Sequence, residues 1–89
     1  MNSEVDPVVS VIVTTRNEEQ KIGACLESIL QQSIPPLEMI VVDKFSEDKT
    51  TTIAQEFGAK VFQLGPERSA QRNYGVEKAQ GKYILYLDA

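Results

Sequence analysis

The heptapeptide VVSVIVT, Val8 to Thr14, is β-branched at every position but Ser10. Such residues lose side-chain freedom in a helix and pack well on a pleated surface, so the run reads as a strand. A strand with one solvated face alternates apolar and polar residues. This one does not, which is the pattern of a strand covered on both sides. A sheet buried on two faces needs helices above and below it, and the remaining residues supply them.

From about Glu18 to Ser33, residues Ile22, Cys25, Leu26, Ile29 and Leu30 recur at i, i+3, i+4, i+7 and i+8, the stripe of an amphipathic helix that "SIPP" then ends. Met39 to Val42 in "EMIVVD" gives a second buried strand. "SEDKTTTIAQEFG" follows, with Ser46 as N-cap, acidic residues in its first turn and Gly58 as its stop. "AKVFQLG" is a third strand, "PERSAQRNYGVEKAQG" a third helix with Pro66 near its start and Gly81 after its end, and "KYILYLD" a fourth strand. The order β-α-β-α-β-α-β predicts parallel strands joined by right-handed crossovers, an α/β fold without internal linkers.

At 89 residues there is room for one small domain. With 42% apolar and 25% charged residues, the composition is that of an ordinary globular protein. A net charge of −4 argues against nucleic acid or anionic lipid as a partner, so any anion site must be local. Cys25 has no second cysteine to pair with and falls on the apolar stripe, so it reads as a core residue and favours a cytoplasmic setting. No apolar run reaches the roughly 18–20 residues of a membrane span, and "MNSEVDP" lacks the basic and apolar character of a signal. A membrane anchor in a longer parent stays open.

Sheets of this kind bind ligands beyond the carboxyl ends of their strands, where successive crossovers change direction. Those ends carry "TTRNEE" (Thr14 to Glu19), "DKFSED" (Asp43 to Asp48), "GPERSAQR" (Gly65 to Arg72) and Asp88, whereas the opposite edge reads "PPLE", "GAK" and "QGKY", ordinary turn chemistry. Taken singly, Glu18, Ser46 and Asp48 read equally as helix caps and macrodipole partners. Polar groups in every loop of one edge favour a site. Arg68 and Arg72, four residues apart in the first turns of the third helix, can reach one crevice, and Arg72 shares the stripe of Val76 and Ala79 expected to face the sheet. Neither a G-x-G-x-x-G nor a G-x-x-x-x-G-K-[ST] motif is present, and with no His and one Cys a zinc site or Cys-His pair is excluded. A carboxylate and arginine site suited to a metal-bridged nucleotide diphosphate is what remains.

"VSVIVTTRNEE" resembles the VSVIIPTYNEE opening of the family 2 glycosyltransferases, "VVDKFSEDKT" resembles their VVDDGSTDGT, and "ERSAQRNYGVEKAQGKYILYLDA" resembles their R-x-x-x-R-N-x-G-x-x-x-A-x-G-x-Y-x-x-x-L-D-x-D. The resemblance implies a partial GT-A fold, a Rossmann-like three-layer sandwich with strand order 3-2-1-4. It also implies a nucleotide-diphosphate sugar donor, a divalent cation, Mn or Mg, bridging its diphosphate, and transfer of the sugar to an acceptor hydroxyl. By the same resemblance Thr14 and Glu18 fall where the family contacts base and ribose, Asp43 on the first aspartate after the second strand, and Arg68 and Arg72 near the diphosphate. Asp88 falls on the first acid of the D-x-D metal motif, whose second aspartate would follow Ala89. The expectation is therefore a single partial nucleotide-sugar-binding domain over residues 1–89, cut within that motif, inactive alone, and self-associating through surfaces the cut exposes.

Four departures stand out. Lys44 replaces the second aspartate of the DD pair, a position often used to read uracil, and Phe45 replaces the following glycine. Thr14 and Arg16 stand where proline and tyrosine are usual, though backbone groups of that turn can still meet a base. A uridine donor is thereby put in question. Two other readings compete: a non-catalytic α/β module whose acidic edge binds a cation or partner, and a nucleotidyltransferase, disfavoured because its glycine-rich loop is missing.

Overall fold

The computed structural model describes residues 8–88. Four parallel strands form one sheet: β1 (Val9–Thr15), β2 (Glu38–Asp43), β3 (Lys60–Gln63) and β4 (Tyr83–Asp88), with helices α1 (Ile22–Leu30), α2 (Thr50–Glu56) and α3 (Arg68–Lys78) between them. The spatial order is β3-β2-β1-β4, the order that the resemblance implied. The chain steps outward from β1 to β3, then α3 carries it back past both inner strands to β4, so the direction of crossover changes between β1 and β4.

β1 is buried from Ser10 to Thr15, as its continuous apolar run predicted. Its side chains alternate between two cores. Val11 and Val13 join Ile22, Leu26 and Ile29 of α1 and Met39 and Val41 of β2 on one face, while Ile12 packs with Ile40 and Val42 on the face covered by Tyr74 of α3 and by Ala79 just after it. Each fully buried aliphatic side chain contributes about 1.5–3 kcal/mol, so the two inner strands carry most of the stability.

α1 is shorter than the stripe predicted. Residues 18–21 form a turn closed by the Lys21 and Ile22 N–H groups on the Glu18 carbonyl, and the regular helix starts only at Ile22. Its buried stripe is Ile22, Leu26 and Ile29; Leu30 is exposed and Cys25 is half-buried at the margin of the core, where burial raises its thiol pKa. α2 begins at Thr50 rather than directly after a Ser46 N-cap. The Ser46 hydroxyl is drawn back to Asp43, and the group that serves the first turn is Asp48, whose carboxylate accepts the Thr50 N–H at 2.9 Å. Gly58 ends the helix segment as expected, at φ +86°.

The face that α3 turns to the sheet is also shifted. Gln71 and Gly75 are buried, while Val76 is exposed and Arg72 lies half-buried at the side. The cause is close packing: a Cβ on Gly75 would sit 2.6 Å from Ile12 Cγ2, so the helix approaches β1 at its one position without a side chain. Gln71 then meets the carboxyl end of β2 and donates from Nε2 to the Val42 carbonyl at 2.8 Å.

The amino edge is more than turn chemistry. The Glu38 carboxylate accepts from Ser10 Oγ at 2.6 Å, from the Gln80 N–H at 2.6 Å and from Lys60 Nζ at 2.9 Å, tying β1, β2, β3 and the approach to β4 together. Its side chain is 5% exposed. Burial raises its pKa, but the hydrogen bonds and the Lys60 charge outweigh burial and hold it below the ordinary value. The Gly81 N–H donates to Ser10 Oγ, and a Cβ there would lie 2.6–2.8 Å from that oxygen and from backbone atoms of Ser10 and Val8.

β4 is an edge strand, and Tyr83, Leu85 and Tyr86 are exposed on it. On the α1 side, Val9, Val11, Leu85 and Leu87 line a groove of about 350 Å³ against Ile29 and Ile34.

Candidate functional site

The loops after β1 and β2 are stitched into one unit. Asp43, fully buried at the end of β2, accepts from Thr15 Oγ1 at 2.6 Å, from the Ser46 N–H at 2.7 Å and from Ser46 Oγ at 2.6 Å. Ser46 Oγ in turn accepts the Asn17 N–H, Asn17 Oδ1 accepts the Glu47 N–H, and Thr50 Oγ1 accepts the Glu18 N–H. Short polar side chains that satisfy nearby backbone donors in this way fix irregular segments nearly as a ladder fixes a strand. Asp48 belongs to the same lattice: desolvation raises its pKa, but hydrogen bonds from Thr50 and from the Glu19 N–H prevail and lower it.

Two residues of this unit, Asn17 at φ +53° and Phe45 at φ +49°, are in the left-handed region. Asparagine tolerates that conformation; phenylalanine rarely adopts it. Phe45 is held by both of its backbone groups, the N–H donating to Gln63 Oε1 and the carbonyl accepting from Arg16 Nη1, each at 2.8 Å.

Between this unit and the start of α3 lies a crevice of about 290 Å³ lined by Thr15, Arg16, Lys44, Pro66, Arg68 and Gln71. It shares Arg16, Lys44 and Pro66 with a second, of about 410 Å³, that extends to Phe45, Glu47 and Gly65. Arg16, Lys44 and Arg68 make this cleft cationic on a chain whose net charge is −4. Gly65 gives Lys44 its room, since a Cβ there would stand 2.8 Å from Lys44 Cγ.

At the change of crossover direction, Thr14 and Asp88 are register partners on β1 and β4, and Thr14 Oγ1 donates to Asp88 Oδ1 at 2.5 Å. Arg68 Nη1 stands 3.6 Å from Asp88 Oδ2. Four residues on, the Arg72 guanidinium lies over the Tyr86 ring, 5.9 Å from its centroid. A rise of about 6 Å per four helical residues nearly equals two residues of strand, so the pairs Arg68–Asp88 and Arg72–Tyr86 form rungs of one ladder. The Asp88 side chain stays 48% exposed and keeps acceptor capacity.

Arg16, Lys44 and Arg68 thus come together in the cleft, with Thr14 and Asp88 joined to Arg68 at its end. Glu18 does not join them: it borders a separate depression with Asn17, Gln20, Lys21 and Asp48. Asp43 lies beneath the surface, and Arg72 is turned to Tyr86. Thr15, Phe45, Pro66 and Gln71 line the cleft without having been singled out as site residues. For Phe45 a signal existed, an aromatic residue at a turn where the resembling family has glycine. Gln71 carried none, because a glutamine on a helix face is ordinarily solvated. Among the described residues no group of three His, Cys, Asp or Glu side chains converges on one point, so Asp88 could hold a cation only as one ligand among others.

The sequence matches the family model described as glycosyl transferase family 2 over residues 10–89. It is 44% identical over 86 residues to 4,4'-diaponeurosporenoate glycosyltransferase of Staphylococcus haemolyticus, across 97% of this chain and 21% of that protein. It is 35% identical over 91 residues to glycosyltransferase AglE of Haloferax volcanii, across 92% of this chain and 30% of that protein. Among solved structures, glucosyl-3-phosphoglycerate synthase from Mycobacterium tuberculosis, in complex with Mn²⁺ and uridine diphosphate, matches with TM-score 0.80 at 24% identity over 92% of this chain and 33% of that one. Mannosyl-3-phosphoglycerate synthase from Rubrobacter xylanophilus matches with TM-score 0.84 at 23% identity, over 93% and 30%. At such identities the likeness is one of fold, and the fold is the one expected. The chain spans between 13% and 36% of the length of the proteins it matches. Strand order, polar carboxyl edge and a match from Ser10 to the last residue agree, and the chain belongs to glycosyl transferase family 2.

Proposed function

We propose that this chain is the donor-binding part of a glycosyltransferase, taking a nucleoside diphosphate sugar into the cationic cleft at the carboxyl edge. The observation that carries the reading is the end of that cleft, where Asp88 is held between Thr14 and Arg68 with much of its carboxylate open to solvent. Arg68, Arg16 and Lys44 offer guanidinium and ammonium donors to the diphosphate, and arginine meets phosphate oxygens in bidentate geometry. Thr14 fixes the Asp88 rotamer. Asp43 acts one step back, by holding the Asp43–Asp48 turn that presents Lys44 and Phe45. Arg72 supports the ladder that places Arg68, and Glu18 lies outside the cleft.

A single half-exposed carboxylate suits Mg²⁺ or Mn²⁺, which commonly take one or two carboxylates and complete their shell with phosphate oxygens and water. Asp88 would be the residue of this chain to hold such a cation, whose charge would offset that of the departing diphosphate. The acceptor, the sugar and the general base belong to parts of the reaction for which this chain offers no named residue, and by itself it is proposed to be inactive as a transferase. A cytoplasmic setting and self-association through the open β4 edge are parts of the same proposal; a strictly monomeric sedimentation profile at high concentration rules out the association.

Calorimetric titration with uridine, cytidine, guanosine and adenosine diphosphates, with and without Mn²⁺, tests the reading. Saturable binding strengthened by Mn²⁺ is expected. Binding of Mn²⁺ indifferent to nucleotide favours a cation-binding module instead.

A further inference from the structure

Phe45 sits in a conformation that the fold alone gives no reason to fill with phenylalanine. A bulky side chain in the left-handed region costs on the order of 1 kcal/mol, and glycine takes that position without strain. The cost is not recovered by burial, since Phe45 is 61% exposed, the most exposed of the large apolar residues described. Nor is the ring needed for the turn. The groups that hold the turn are the Phe45 N–H and carbonyl, bonded to Gln63 and Arg16, and any residue but proline supplies those. The turn is therefore rigid, its backbone work is independent of the side chain, and it presents an aromatic ring to solvent.

The ring stands at the cleft described above. Arg16, Lys44, Glu47, Gly65 and Pro66 line the same recess, and the recess runs on through Arg16 and Lys44 to Arg68 and Gln71. A flat apolar face at one end and a lining of three cations against the single carboxylate of Glu47 fit a ligand that is planar and aromatic at one end and anionic at the other. Stacking on an aromatic side chain needs only a π-face, so it suits any nucleobase.

We propose that Phe45 is the nucleobase-stacking residue of the donor site, held in a strained turn by Arg16 and Gln63 so that its ring stays exposed at the mouth of the cleft. The proposal rests on the donor-binding reading and adds to it the residue that meets the base. Strain kept at a ligand-binding position, where a relaxed residue would serve the fold better, is a trade of stability for function.

The test compares the protein with its Phe45→Gly, Phe45→Leu and Phe45→Tyr variants. Affinities are measured by calorimetry for uridine diphosphate, guanosine diphosphate, one sugar nucleotide and inorganic pyrophosphate, all with Mg²⁺, alongside melting temperature. Phe45→Gly is expected to melt at or above the parent temperature and to bind both nucleoside diphosphates about 5- to 100-fold more weakly. Phe45→Leu, which keeps the bulk and the backbone strain, is expected to lose affinity as well, and Phe45→Tyr to retain it. Pyrophosphate affinity should be the same in all four. Unchanged nucleoside diphosphate binding by Phe45→Gly overturns the proposal. So does a parallel loss of pyrophosphate, which would mean that the turn and not the ring was at work, and so does a loss confined to the sugar nucleotide. A parent protein that binds pyrophosphate but no nucleoside diphosphate overturns the donor-binding reading itself, a result distinct from the other three.

Discussion

The two edges of the sheet use the same chemistry to opposite ends. At the amino edge, Glu38 is nearly sealed from solvent and gives its oxygens to Ser10, Gln80 and Lys60. At the carboxyl edge, Asp88 has one hydroxyl at 2.5 Å and one arginine at 3.6 Å, and about half its side chain is open. Asp43 shows that position on an edge is not what decides: it lies at the carboxyl edge yet is as fully spent as Glu38. A buried carboxylate that already accepts three hydrogen bonds is part of the framework, and one that is half open with a single such bond can bind a ligand.

This distinction orders the effects of substitution. Asp43→Ala removes the acceptor for two hydroxyls and an N–H, the Thr15 hydroxyl at a buried position and the Ser46 groups at a partly buried one, so a loss of roughly 3 kcal/mol is expected, seen as a fall of about 10 °C or more in melting temperature. A fall below about 3 °C would show that the turn stands without Asp43. Gly81→Ala forces a methyl against the Ser10 backbone N at 2.7 Å and the Val8 carbonyl at 2.8 Å, with a cost of about 2 kcal/mol in denaturant unfolding. Gly81→Ala leaves the cleft untouched, whereas Asp43→Ala also loosens the turn that presents Lys44 and Phe45 to it.

A smaller and pH-dependent effect belongs to Glu38. Its folded pKa lies below the ordinary value of 4.5, so its contribution to stability is present above that value and is lost as pH falls through the folded one. Glu38→Gln should cost about 1 kcal/mol at neutral pH and flatten the acid limb of the stability profile. An acid limb as steep as the parent's would assign it to other carboxylates. Smallest of all is Asp88→Asn, expected to change stability by no more than about 0.5 kcal/mol while weakening Mn²⁺-dependent nucleotide binding. A large loss of stability there would place Asp88 with Glu38 and Asp43, in the framework.

Much of this was legible in the residues. The unbroken β-branched run of β1 announced a strand covered on both faces, and alternation with helices announced parallel order. What escaped were features set by three-dimensional packing. The rotation of α3, which buries Gln71 and Gly75 in place of Arg72 and Val76, follows from the fit of Gly75 against Ile12, a contact between distant segments. The start of α2 moved because Asp43 competes for Ser46, and helix-capping preferences carry no information about a rival acceptor across a turn. The amino-edge network escaped for the same reason: "PPLE" and "QGKY" are unremarkable until Glu38, Ser10 and Gln80 are adjacent. Asp43 and Asp88, both aspartates at strand ends, cannot be told apart until their neighbours are known.

The most direct test of the contrast between the edges is a backbone amide chemical-shift map of the protein on titration with uridine, cytidine, guanosine and adenosine diphosphates in turn, each with Mg²⁺. The account predicts shifts concentrated at Arg16, Lys44, Phe45, Arg68 and Asp88, with Glu38, Gln80 and Gly81 unmoved. Shifts centred on the amino edge, or none at saturating nucleotide, would contradict it.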